Sequence, residues 1–187
     1  MGCGINHTPD AMIDLPATPQ TALAKVIVPA LGLLPAQYES PVVRWLLLTY
    51  AMQESGLRTR VQDGGGPGRG LWQDEPPLMG LLLGNPASAS QVRALCRSRA
   101  VAAWPADMYY AVQTDDLFAC CIARFDMWCD PRPLPSLGDI EAAFADYIHD
   151  WGPGAYARGT PEVDEAIRQR FDTNARTALS IVQGLSA

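Results

Sequence analysis

Glu54 is the residue of this chain best placed to move a proton. It closes an almost wholly apolar stretch, Val42 to Met52, in which Arg44 and Thr49 are the clear exceptions. Apolarity on every face predicts a buried helix rather than an amphipathic one. A carboxyl at the C-terminal end of such a helix meets the negative end of the helix dipole and an apolar wall, and both disfavour its ionised form. The dipole is worth only about 0.3–1 kcal/mol, so desolvation must supply most of any upward pKa shift. A carboxyl that stays protonated near neutrality can serve as a general acid.

A solvated helix end would carry a glutamate equally well, and the residues that follow shift the balance. Gly64, Gly65, Gly66, Gly68 and Gly70 fall in one short run, which predicts turns and close backbone approach. The run resolves at once into Gly70-Leu71-Trp72-Gln73, unlike a flexible linker. No Gly-Lys-Ser/Thr follows, so it is not a phosphate loop.

Glu54-Ser55-Gly56 followed beyond a glycine loop by Gly70-Leu71-Trp72-Gln73 resembles the catalytic segment of the lysozyme-like superfamily, nearest to lytic transglycosylases. Weaker likenesses continue in Asp116-Leu117-Phe118-Ala119 with Ala123-Arg124, in Asp130-Pro131-Arg132-Pro133-Leu134-Pro135 and in Trp151-Gly152-Pro153-Gly154. These look like a group of bacteriophage lysozyme-like proteins. The resemblance implies that Glu54 is the general acid, Ser55 its neighbouring serine and Gln73 a substrate contact. Trp72 stands where many relatives have methionine. Tyr156, in Ala155-Tyr156-Ala157, is the nearest match to a tyrosine that supports the acid, although the family's following asparagine is missing. The implied substrate is the peptidoglycan glycan strand, cut between N-acetylmuramic acid and N-acetylglucosamine. The implied fold is mostly α (α+β, lysozyme-like), with a buried central helix and a small β or loop subdomain beside the cleft.

Whether such an enzyme hydrolyses or transglycosylates turns on a second carboxylate. Glycosidases that use two acids hold them about 6.5–9.5 Å apart when inverting and about 5–5.5 Å apart when retaining. Asp63, Asp74 and Glu75 are the candidates here, each equally readable as a solvated loop charge. A lytic transglycosylase needs one carboxylate, which first protonates the glycosidic oxygen. The same group then takes the proton of the sugar's 6-hydroxyl as an anhydro ring closes. The expectation is that Glu54 works in this way alone.

These residues need elements to hold them. Ser40 before Pro41 predicts a hydroxyl cap and a proline at the first helical position, and Gly56 predicts the helix end, so the central helix runs from Pro41 to Ser55. A preceding helix is expected over Thr21–Leu33, closed by Pro35. Later ones are expected near Ser88–Ala103, Asp115–Cys129, Gly138–Trp151 and Pro161–Gln183. Pro76-Pro77 is expected to interrupt regular structure. Residues 1–20 read as an N-terminal arm and 21–187 as one lysozyme-like domain. Trp104, Tyr109, Tyr110, Tyr147 and Trp151 are either core or sugar-stacking residues, while Trp45 and Trp128 read as packing.

Composition narrows the partners. The chain has 187 residues, 48% of them hydrophobic, and a net charge of −6. With a pI of about 4.8 and no basic cluster, nucleic acid is not an expected partner. Cell-wall polymers are anionic, so charge does not steer this protein to them. An acidic wall-cleaving protein makes more sense when another structure delivers it, which points to tail or ejection proteins of a virion as partners. The first twenty residues lack a basic start and an apolar run, so no secretory signal is expected, and no apolar stretch is long enough for a membrane anchor. The expected itinerary is synthesis in a host cytoplasm and action in the host wall. Five cysteines without a CxxC pair, and the distant His7 and His149, argue against a zinc site, and no cofactor is expected. Two alternatives stand beside the virion enzyme: a structural virion protein that keeps the fold as an interaction module, and a free endolysin.

Overall fold

The computed structural model describes residues 12–152, 156 and 159–185. Among these the chain is helical, with no strand. Helix α1 is a continuous rod assembled from Pro19–Ala22, a π-helical turn Leu23–Ile27 and Val28–Leu31. Pro29 lacks the N–H that would continue the ordinary ladder, and the Val28 N–H instead reaches back five residues to the Leu23 carbonyl. The central helix α2 is Pro41–Glu54. Then come α3 (Pro76–Gly84), α4 (Ala89–Ser98), α5 (Pro105–Thr114), α6 (Asp116–Cys129), α7 (Ile140–Asp150) and α8 (Pro161–Gly184).

Helix α2 starts and stops as its residues require. The Ser40 hydroxyl accepts the Val43 N–H at 3.2 Å, Pro41 opens the first turn, and Gly56 leaves the helix at φ +59°. Trp45, Leu46, Leu47, Leu48 and Tyr50 are all fully buried, so the helix is sheathed on every side. Its longest partner is α8. Two polar contacts set that register: the Trp45 indole donates to the Ala175 carbonyl at 2.9 Å, and the Asn174 amide donates to Gln53 Oε1 at 2.9 Å. Helix α6 forms a second buried rod. The Asp115 side chain caps it by accepting the Phe118 N–H at 3.0 Å.

Four expectations need correction. The segment beside the cleft is not a β element: only isolated bridges form, Val61 with Arg69 and Arg69 with Asp74. Gly64, Gly65 and Gly70 take positive φ there, which breaks any extended run. Pro76-Pro77 starts a helix instead of stopping one, because proline fits a first turn whose N–H groups have no intrahelical partner. Pro105 opens α5 by the same logic, in a segment for which no helix is expected from sequence. Finally, residues 12–18 are docked rather than free. The Ile13 N–H donates to Asp116 Oδ2 at 2.9 Å and the Ala17 N–H to the Leu57 carbonyl at 2.9 Å. The rest of the expected arm, 1–11, lies outside the described residues, as do 153–155 and 157 of the quoted downstream phrases.

Candidate active site

The glycine loop returns the chain to the end of α2 and opens a cleft of about 470 Å³. Glu54 enters it from the helix terminus, and the loop contributes Gln62, Gln73, Asp74 and Glu75. Helix α6 adds Asp126, and the end of α7 adds Asp150 and Trp151. Pro77, Leu78 and Leu81 of α3 supply an apolar stretch of wall.

Loop shape is set by backbone approach. A Cβ on Gly70 would lie 2.5 Å from the Val112 carbonyl oxygen, and its φ is +73°, so only glycine fits. Arg69 anchors the loop from inside. Its guanidinium donates to the carbonyls of Gly66 (2.6 Å) and Gly68 (2.8 Å) and lies over the Tyr109 ring at 5.6 Å. Tyr109 in turn donates its hydroxyl to the Pro67 carbonyl.

Glu54 is partly exposed at the cleft surface, yet its carboxyl pKa is raised above the usual glutamate value. Burial of the carboxyl is the main cause, and the charge of Glu75 adds to it. The Tyr147 hydrogen bond and the Arg170 charge oppose the shift. The Tyr147 hydroxyl donates to Glu54 Oε1 at 2.5 Å. With Oε1 committed as an acceptor, the acidic proton belongs on Oε2, which gives the carboxyl a defined donor side. Tyr147 is itself held among Tyr50, Phe144 and Phe171, with ring centroids 5.2–6.4 Å away.

Asp74 is the most deeply buried carboxyl of the cleft. It is 3% exposed, and neither carboxylate oxygen has a hydrogen-bond partner. Its pKa is raised well above the usual aspartate value, first by burial, then by Asp126 and Glu54. Asp126 is raised to about 7 by burial and by Asp150, and Asp150 to about 6, mainly by burial. No arginine or lysine lines the cleft among the described residues.

The residues singled out from sequence divide into those at the cleft and those elsewhere. Glu54, Gln73, Asp74 and Glu75 line it together. Gln73 takes φ +56° and spends its amide N–H on the Gly70 carbonyl at 2.7 Å, so it braces its own loop. Trp72 is not available as a substrate contact: it is 0% exposed, and its indole donates to the Leu47 carbonyl at 2.9 Å. Ser55 is buried at the helix end, donating to the Ala51 carbonyl and accepting the Leu57 N–H. Asp63 sits exposed in a 3-10 turn, Asp63–Gly65, away from the cleft lining. Tyr156 packs edge-on against Phe144 at 5.6 Å, and the support expected of it comes from Tyr147. Of the other aromatics, Trp151 lines the cleft and donates its indole N–H to the Trp72 carbonyl at 3.0 Å. Trp104, at 66% exposure just before α5, and Tyr110 on it lie open.

Asp126 and Tyr147 escape a reading that follows the motif alone. A signal for Asp126 exists: like Glu54, it is a carboxylate near the end of an almost wholly apolar helix. Tyr147 carries no such mark, being one of two aromatics on α7 beside Phe144.

The chain matches no known family model, no curated protein and no solved structure.

Proposed function

We propose that this protein is a peptidoglycan-degrading glycosidase, a lytic transglycosylase or muramidase, with Glu54 as the general acid. The observation that carries the reading is Glu54 itself, a carboxyl with its proton favoured by burial, open to a cleft and oriented by the Tyr147 hydroxyl. Protonated on Oε2, it donates to the glycosidic oxygen as the bond to the anomeric carbon breaks. In the one-carboxylate route the resulting Glu54 carboxylate then accepts the proton of the sugar's 6-hydroxyl. That oxygen closes on the anomeric carbon, and the acid is regenerated. The substrate would be the bond between N-acetylmuramic acid and N-acetylglucosamine. An acidic protein of net charge −6 fits delivery by a virion, as a tail or ejection component, better than free diffusion to an anionic wall.

The second reading is a structural virion protein that keeps the fold as an interaction module. Trp72, Ser55 and Gln73 favour it, because all three are spent on internal contacts rather than on a ligand. One experiment separates the two: mass spectrometry of purified peptidoglycan after digestion by wild type and by Glu54→Gln. Anhydro-muropeptides from wild type alone support the transglycosylase, and reducing-end products support a hydrolase. Absence of any Glu54-dependent product leaves the structural module.

A further inference from the structure

The cleft holds more negative charge than an acid catalyst needs. Glu54, Asp74, Glu75, Asp126 and Asp150 all line it, and no cationic side chain does so among the described residues. A crowd of carboxylates is not in itself a site, but Asp74 adds a separate observation. Its side chain is 3% exposed, it lines the cleft, and both oxygens lie without a donor. The buried carboxylates Asp116 and Asp115 are served by contrast: Asp116 has Arg60 and the Ile13 N–H, and Asp115 has Arg99 and the Phe118 N–H. Asp126, partly exposed, lines the same cleft near enough for its charge to act on Asp74, and it does not bond to Asp74 directly. A buried carboxyl without a donor, next to a second carboxyl, is an arrangement that a positive ligand would stabilise.

We propose that this cleft binds a divalent hard cation of the calcium class through the carboxylates of Asp74 and Asp126. The donor set decides the class. The side-chain donors at the cleft are oxygens, with no histidine or cysteine among its lining residues. Such a set suits calcium, which accepts carboxylates, carbonyls and several waters in a flexible geometry, and does not suit zinc or copper. The cleft is open enough for the waters a two-carboxylate site would need. A different acidic group, Asp130, His149 and Asp150, approaches within 4.8 Å, but the Arg132 guanidinium already bonds to Asp130 and Asp150 there. The inference does not depend on the glycosidase reading.

The test uses the full chain, freed of metal with a chelator and then dialysed. Calcium titration is followed by thermal melting, and Tb3+ serves as a luminescent calcium surrogate with Trp151 as the nearby antenna. Wild type should melt about 5 °C higher in saturating calcium and sensitise Tb3+ emission that calcium displaces. Asp74→Asn should weaken the affinity at least about tenfold, and Asp126→Asn should do the same. If Asp74→Asn does not fold, as read by circular dichroism, the half-buried Asp126→Asn decides alone. No response of wild type to Ca2+, Mg2+ or Mn2+ overturns the proposal. So does a response kept by both variants, or one lost only in His149→Ala.

Discussion

Two acidic clusters lie on and beside α7, and they are given different partners. Asp130, Asp146 and Asp150 converge on one guanidinium: Arg132 donates to Asp130 through Nε at 2.7 Å, and to Asp146 at 3.3 Å and Asp150 at 3.1 Å. Asp130 is accordingly held well below the usual aspartate range, whereas burial still raises Asp146 and Asp150. This arginine ties the Asp130–Pro135 loop to the helix that carries Tyr147, so its role is architectural. Glu54, Asp74 and Asp126 receive one neutral hydroxyl among them, and all three have raised pKa values. Where charge is matched the molecule is holding itself together, and where it is left unmatched the fold has kept a free energy cost that a ligand or a reaction can use.

The sharpest way to break that contrast is at Glu54. If the unmatched cluster is chemical, Glu54→Gln should lower peptidoglycan cleavage by about 10²–10⁴-fold while the melting temperature at neutral pH stays level or rises. A loss of activity that merely follows a loss of folding would place Glu54 with the structural charges.

Next in size is a matched pair. Asp116 is 0% exposed and accepts both Arg60 Nε (2.7 Å) and a terminal Arg60 nitrogen (2.6 Å). Arg60→Ala should strand that buried charge and cost about 3–5 kcal/mol in denaturant unfolding. A cost under about 1 kcal/mol would mean that the pair is no better than a surface bridge.

Asp126→Asn should do the reverse. The folded-state pKa of Asp126 is raised from 3.8 to about 7. Its protonation therefore favours the fold most fully below pH 3.8, and this contribution is lost as pH rises through about 7. Removing the group in chelator should stabilise the protein by on the order of 2 kcal/mol at pH 8, with the gain fading toward pH 4. Unfolding curves at both pH values test this, and a variant that is less stable at pH 8 would show Asp126 to be a satisfied charge.

Tyr147→Phe should have the smallest effect. Removing the hydroxyl takes away a contact that lowers the Glu54 pKa, so Glu54 should hold its proton to higher pH. The alkaline limb of the pH–activity profile should move up while kcat falls about tenfold through lost orientation. A limb that stays in place with the same fall in kcat would limit Tyr147 to packing.

Local chemistry made several features readable from the chain alone. The Ser40-Pro41 start, the Gly56 stop and the uniformly apolar run between them define α2, and they put a lone acid at its end. The approximate spans of α4, α6, α7 and α8 were legible for the same reason. The Pro76 and Pro105 helices were harder to see, since proline marks a helix start as readily as a break, and only the packing of α3 against α5 selects the former. The Gly-Leu-Trp-Gln phrase correctly marked a loop beside Glu54. It could not say that Trp72 would turn into the core, because direction depends on the positive φ values at Gly70 and Gln73.

The sequence by itself determined a helical domain, an acidic balance and a lone carboxyl mounted at the end of a buried helix, all of which follow from neighbours along the chain. Tertiary structure alone decided which groups Glu54 meets. Tyr147 is 93 residues away and Asp126 lies on another helix, and both arrive only when α6 and α7 pack beside α2. Burial, which raises the pKa of Glu54, Asp74, Asp126 and Asp150, belongs to the assembled fold and to no local stretch of chain.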